Sequence, residues 1–199
     1  VLSSVTPDLR DVILDVIAIR YHETIMAGTG HVAENALDEA INDGGYVLVV
    51  EGSIPSADNR YLKVAGIPVE TRFVQAASAA DVILAVGACA AYGGIPRAGV
   101  PDGQGVQYFL DKHSIVKPLI NLPGCPLHPA WFFDTVLDYL AGNSIPVDQH
   151  KRPLRHFQHT IHDHCHRRAQ YDNQMYLNDW NHPGQRHWCL LNKGCKGPQ

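Results

Sequence analysis

Six residues carry types and spacings that could do chemistry: cysteines 89, 125, 165, 189 and 195, and His162. Five thiols cannot all pair among themselves, and they lie too far apart for a small disulfide scaffold, so ligation is the better first reading. His162-Asp163-His164-Cys165 forms a His-x-x-Cys pair, a spacing that sets both donors on one side of a helical turn. Cys189 and Cys195 follow, the latter within Asn192-Lys193-Gly194-Cys195-Lys196-Gly197-Pro198. One imidazole and three thiolates complete a four-ligand set, and two chemistries use such a set. One is structural zinc in a Cys₃His site. The other is an iron–sulfur cluster with one neutral imidazole, which lowers the negative charge at the cluster and raises its potential. No common zinc finger has this spacing, because 23 residues separate Cys165 from Cys189 and the last pair is C-x5-C. His164, His166, His182 and His187 compete for the imidazole role. On composition alone zinc leads, as the commoner four-ligand metal.

Cys89 and Cys125 need elements to position them. Residues 11–20 are largely apolar and β-branched and read as a buried strand. Helical spacing of Val32, Ala33, Ala36, Leu37, Ala40 and Ile41 predicts a helix over 31–42, ended by Gly44-Gly45. Strands are predicted at 46–50, 82–86 and 118–122, with helices at 72–80, 104–112 and 130–141. Alternating strands and helices argue for βαβ units and a doubly wound parallel sheet, whose ligands sit beyond the carboxyl ends of the strands. That edge would collect Glu51, Cys89 and Cys125. Glycines beside each cysteine permit close backbone approach to a bulky ligand. No G-x-G-x-x-G, Walker sequence or G-x-S-x-G elbow is present. Two thiols alone are too few for a four-iron cluster, and small thiols are also ordinary core residues. Glu51 alone is a weak signal: a carboxylate at a strand end is often just solvated or a helix cap, and a partly buried one could relay protons or orient a ligand.

Length, composition and charge set the remaining bounds. With 199 residues, 45% hydrophobic and 18% charged, the chain can bury a core and is not of disordered composition. No apolar run is long enough to span a bilayer as a helix. Charge is uneven. Residues 1–149 hold 8 Lys+Arg and 17 Asp+Glu, and residues 150–199 hold 8 and 3 together with eight of the twelve histidines. The tail has no basic helix or nucleic-acid motif, so its charge reads as a solvated face or a dock for an acidic partner, and no nucleic acid is expected. The composition breaks near 141–153. The domains read from this are 1–141, holding Glu51, Cys89 and Cys125, and 142–199, holding His162, Cys165, Cys189 and Cys195. The chain starts at Val1 without a targeting segment and stops just after a cysteine-rich turn, so truncation at both ends is expected.

Gly87-Ala88-Cys89-Ala90-Ala91-Tyr92-Gly93-Gly94-Ile95, Asn121-Leu122-Pro123-Gly124-Cys125-Pro126 and Val50-Glu51-Gly52-Ser53-Ile54-Pro55 resemble the small subunit of nickel–iron hydrogenases. Thr160-Ile161-His162-Asp163-His164-Cys165 and the segment from Cys189 to Pro198 continue the resemblance in order, whereas 166–188 departs from the family pattern. The resemblance implies a flavodoxin-like doubly wound parallel sheet followed by a smaller, largely irregular iron–sulfur domain. It implies an electron-transfer subunit in which Cys89 and Cys125 supply half the ligands of a proximal 4Fe–4S cluster, the other two coming from upstream. His162, Cys165, Cys189 and Cys195 would hold a distal 4Fe–4S cluster. A medial 3Fe–4S cluster would take cysteines downstream of Gln199. Glu51 matches a glutamate near the proximal cluster, and Gly94 stands where oxygen-tolerant members carry an extra cysteine.

The nickel–iron centre that reversibly oxidises dihydrogen would belong to a large-subunit partner. The acceptor would be a cytochrome or a quinone-linked membrane subunit, and the location periplasmic or membrane-associated facing the periplasm. Two alternatives stay open at this point. One is another iron–sulfur carrier of the respiratory NADH dehydrogenase small-subunit type, which lacks the tail motifs. The other is a zinc-stabilised non-catalytic binding module.

Overall fold

The computed structural model describes residues 11, 15–58, 60–99 and 102–197, in two compact units, Val1–Pro153 and Leu154–Gln199. In the first, helix α1 (His31–Asp43) leads to strand β1 (Val47–Glu51), the short strands β2 (Ile54–Pro55), β3 (Lys63–Val64) and β4 (Ile67–Pro68), and helix α2 (Val69–Ala79). Strand β5 (Val82–Val86), helix α3 (Gly87–Tyr92), strand β6 (Gly103–Gln104), helix α4 (Val106–Lys112), strand β7 (Leu119–Leu122) and helix α5 (Pro129–Leu140) follow.

The long apolar strands pair in parallel in the order β1-β5-β7. Val82, Ile83, Leu84 and Ala85 are all at most 1% exposed. A strand without polar alternation needs both faces covered, which a parallel sheet clad by helices provides. Ile83 and Ala85 meet Phe73 and Ala77 of α2, Ala90 of α3 and Val106, Phe109 and Leu110 of α4. Phe73 and Phe109 sit edge to face at 6.1 Å, and burying each such side chain is worth about 1.5–3 kcal/mol. Outside the core, Arg72 of α2 forks onto Glu34 and Asp38 of α1, both at 2.6 Å. The expected α/β class with a parallel sheet is what the structure shows.

Several predicted elements shift. Within 11–20, residues 12–14 lie outside the described residues. Asp11 and Asp15 are helical, 17–20 have no regular structure, and Val16 and Ile19 are exposed rather than in a buried strand. β-branched residues favour strands chiefly where a neighbouring strand and a covered face are available, and no described strand pairs with this run. Helix α2 starts three residues early, because Pro68, unable to donate and held extended, serves as its N-cap. Gln104 pairs with Ile54 in a two-stranded ribbon rather than joining α4. The segment 142–153, read from composition as a connection, is tied to β7. Asn121 donates its backbone N–H to Lys151 O at 2.8 Å and its side-chain amide to His150 O at 2.9 Å. Asp148 braces the turn that follows. Burial pushes its carboxyl up, but the N–H groups of Arg152 and His150 and the Arg152 guanidinium more than offset that and hold it below the usual range.

In the second unit, helices α6 (Leu154–Phe157) and α7 (Arg168–Asp172) are short, and two 3₁₀ turns join them among the described residues. The His162–Cys165 spacing gives a hydrogen-bonded turn, with Cys165 N–H on His162 O at 3.2 Å. The helix itself begins only at Arg168.

Candidate metal centres

Register decides what gathers at the sheet edge. Glu51 lies abreast of Val86, and Val86 abreast of Leu122. The three loops that leave these residues therefore start side by side. Helix α3 springs straight from β5 and carries Cys89 in its first turn. Ala88 donates its N–H to Gly124 O at 2.9 Å, so each cysteine is the next residue after one end of this bond. Cys89 is half-buried, while Cys125 and Glu51 are exposed. Gly94 closes over Cys89. Its φ is +60°, and a Cβ built there would stand 2.5 Å from Cys89 Sγ. Backbone alone fits beside that sulfur. On the other side of Cys125, His128 caps α5, its Nδ1 accepting the Ala130 N–H at 3.3 Å. Among the described residues this edge offers two thiolate donors.

In the tail, four contacts link the four predicted donors in a closed circuit. Gly197 lies against both His162 and Cys195, since a Cβ there would be 3.4 Å from Cys195 Sγ and 3.6 Å from His162 N. Cys195 donates its N–H to Leu190 O at 3.2 Å, next to Cys189. Arg167 reaches from beside Cys165 to donate to Trp188 O at 2.8 Å, next to Cys189 on the other side. Cys165 closes the circuit through its bond to His162 O. Two sulfurs already accept backbone hydrogen bonds: Arg167 N–H on Cys165 Sγ and Gly197 N–H on Cys195 Sγ, both at 3.4 Å. Hydrogen bonds to cluster sulfurs tune iron–sulfur potentials.

The turn carrying His162 is locked by Asp163, which accepts the Thr160 backbone N–H at 2.7 Å and its hydroxyl at 2.9 Å. Those two bonds hold the Asp163 carboxyl below the usual range. The rival histidines are placed differently. His164 packs on His159 at 4.8 Å, His166 accepts from Arg167 Nε at 3.2 Å, and His164, His166, His182 and His187 are all exposed, whereas His162 is half-buried.

Among the described residues, no three His, Cys, Asp or Glu side chains converge as the ligands of one ion must. A cluster asks for a different arrangement, since each iron takes its own protein ligand and the donors stand around a body rather than on a point. Three cysteines and one histidine, whose backbones are tied to one another directly or through neighbouring residues and two of whose sulfurs accept N–H bonds, are the donor types that such a cluster takes. Sequence reasoning singled out the glycines beside the cysteines as allowing close approach, and it missed Arg167, which no spacing in the sequence marks.

A family profile described as NADH ubiquinone oxidoreductase, 20 Kd subunit, matches residues 1–139. A second, describing the C-terminal part of the NiFe/NiFeSe hydrogenase small subunit, matches residues 157–199. The Hydrogenase-2 small chain of Escherichia coli (strain K12) is 37% identical over 203 residues, covering 100% of this chain and 54% of that protein. The crystal structure of a reduced, active form of the Ni-Fe-Se hydrogenase from Desulfomicrobium baculatum superposes with a TM-score of 0.89 at 33% identity, covering 99% of this chain and 77% of that one.

The chain belongs to the nickel–iron hydrogenase small-subunit family. The tail match separates it from the respiratory NADH dehydrogenase type, with which the 1–139 profile alone is compatible. Periplasmic NiFe hydrogenase small subunit 1 of Nitratidesulfovibrio vulgaris is 39% identical over 204 residues, covering 100% of this chain and 64% of that protein. The chain thus spans about half the length of the first of these family members and under two thirds of the last.

Proposed function

We propose that this chain is part of the electron-transfer small subunit of a nickel–iron hydrogenase, which works with a large subunit in the reversible oxidation of dihydrogen. The observation that carries this reading is the closed circuit of His162, Cys165, Cys189 and Cys195 in a chain whose relatives are named hydrogenase small chains. These four residues would hold a distal 4Fe–4S cluster. Cys89 and Cys125 would supply two ligands of a proximal one, and a medial 3Fe–4S cluster would be held outside 1–199. Such clusters, when bound, supply one-electron redox chemistry.

The residues contribute in distinct ways. The N–H groups of Arg167 and Gly197 stabilise negative charge on Cys165 and Cys195. The neutral His162 imidazole sets the distal site to a higher potential than four thiolates would. Gly94, without a side chain, leaves room for the Cys89 sulfur itself. Glu51, exposed at the end of β1, is a proton-path residue beside that site. A relative named as periplasmic supports a periplasmic location. The large subunit and a cytochrome or quinone-linked acceptor are the partners.

The test is iron and acid-labile sulfide content of the full-length protein, purified without oxygen, with and without Cys195→Ser. Loss of about four iron and four sulfide per chain in the variant is the expected result. A colourless protein with one zinc per chain and no sulfide would overturn the reading.

A further inference from the structure

His χ2 is a broad, roughly two-fold torsion, so the plane of an imidazole is set by what packs against it. Ligating histidines are usually oriented by a hydrogen bond from the second ring nitrogen to a carboxylate or carbonyl. Among the described residues, the His162 ring has no such bond. Its neighbour is Tyr171, with ring centroids 4.5 Å apart and planes at 75°. Tyr171 is in turn backed edge to face by Tyr176 at 6.1 Å.

Each aromatic is anchored to a different donor. Tyr171 lies on α7, whose first residue, Arg168, donates its N–H to Cys165 O at 2.9 Å. Tyr176 is bridged to Cys189, with Cys189 N–H on Met175 O at 2.9 Å and Leu177 N–H on Cys189 O at 2.8 Å. The His162 ring is thereby referenced to the backbone at both Cys165 and Cys189. A single edge-to-face contact to a free-standing tyrosine would set the ring plane loosely. A contact to a tyrosine fixed at two other donors sets it firmly.

We propose that Tyr171, backed by Tyr176, is the positioning residue that fixes the plane of the His162 imidazole toward the metal group held by His162, Cys165, Cys189 and Cys195. The proposal rests on the ligand set given under the proposed function. The ring of Tyr171 carries this role and its hydroxyl does not, since the contact is ring to ring.

The experiment is pulsed electron paramagnetic resonance of the reduced full-length protein in its native complex, reading the imidazole ¹⁴N coupling and the distal reduction potential in Tyr171→Phe, Tyr171→Leu and Tyr176→Leu. Wild type and Tyr171→Phe should show one narrow ¹⁴N coupling and one potential. Tyr171→Leu should show a spread of couplings and a broadened, shifted redox titration, with a smaller spread in Tyr176→Leu. If wild type shows no ¹⁴N coupling, the ligand set itself fails and the proposal falls with it. A coupling that is present but unchanged in Tyr171→Leu leaves the ligand set standing and overturns the positioning role. Equal damage in Tyr171→Phe would also overturn it, by moving the effect to the hydroxyl. Should Tyr171→Leu fail to assemble, Tyr176→Leu decides, and an unaltered signal there counts against the proposal.

Discussion

At the residue scale, candidate donors can be picked out because ligand chemistry is a property of residue type, and few side chains other than cysteine and histidine offer soft donors. What shapes their surroundings was not legible, because it depends on close approaches made in three dimensions. Gly94 is the clearest case. The resemblance marks it only as a position where some family members carry an extra cysteine; the structure gives it φ +60° and ψ −151°, and its missing side chain is what leaves room for Cys89 Sγ. That backbone region is essentially reserved for glycine, and occupying it with another residue costs on the order of 1–3 kcal/mol. Gly94→Ala should therefore lower stability by about that much and move the Cys89 sulfur as well. Denaturant unfolding measures the first effect, and selective loss of the iron proposed at Cys89 and Cys125, with that proposed in the tail retained, measures the second. A variant with wild-type stability and full iron content would refute both.

At the element scale, the sheet strands and the long helices followed from hydrophobic patterning, since a continuous apolar run such as Val82–Val86 has few other uses. The run at 11–20 shows where such patterning fails: its residue types alone do not supply a strand to pair with. Helix α3 is too short for its 6 residues to show a helical period in sequence, although Ala88, Ala90 and Ala91 are strong helix formers. The ion cluster that clamps α2 to the end of α4 was also invisible, because Glu70 and Lys112 are far apart in sequence. Glu70 is 9% exposed, and its Oε1 takes both Lys112 Nζ and His113 Nε2 at 2.6 Å. Burial alone would raise the Glu70 carboxyl, but the hydrogen bonds and charge of Lys112 and His113 outweigh it, so the folded-state pKa lies below the usual value. A depressed folded pKa gives stability that is fully present above the unfolded value of about 4.3 and lost as pH falls through the folded one. Glu70→Gln should cost about 1.5–3 kcal/mol near pH 7, the range for hydrogen bonds to charged groups. The deficit should shrink toward zero on acidification below about pH 4. Urea titrations at several pH values check this, and a deficit that stays constant with pH would show that the carboxylate charge is not what matters.

At the scale of the whole molecule, the two units are held together by different means. The first has a continuous core around Ile83, Phe109 and Leu110, each at most 2% exposed. In the second, Leu177 and Cys189 are the buried apolar residues among those described, and one of them is a proposed ligand. Where little apolar surface is buried, a metal or disulfides usually supply the missing stability. Here the cysteines are free, and the backbone bonds that organise the unit run through donor residues: Cys189 with Met175 and Leu177, Cys195 with Leu190, Cys165 with His162. Metal binding and folding should then be one equilibrium in this unit and separate ones in the other. Stripping iron from the full-length protein with a chelator should release hydrogen-exchange protection at Leu177, Cys189 and Cys195, while the amides of β5 keep theirs. Loss at Ile83 and Leu84 on the same timescale would mean that the cluster supports the sheet too. Undiminished protection at Leu177 and Cys189 would mean that the tail folds on its own contacts and that its donors are held ready for the metal.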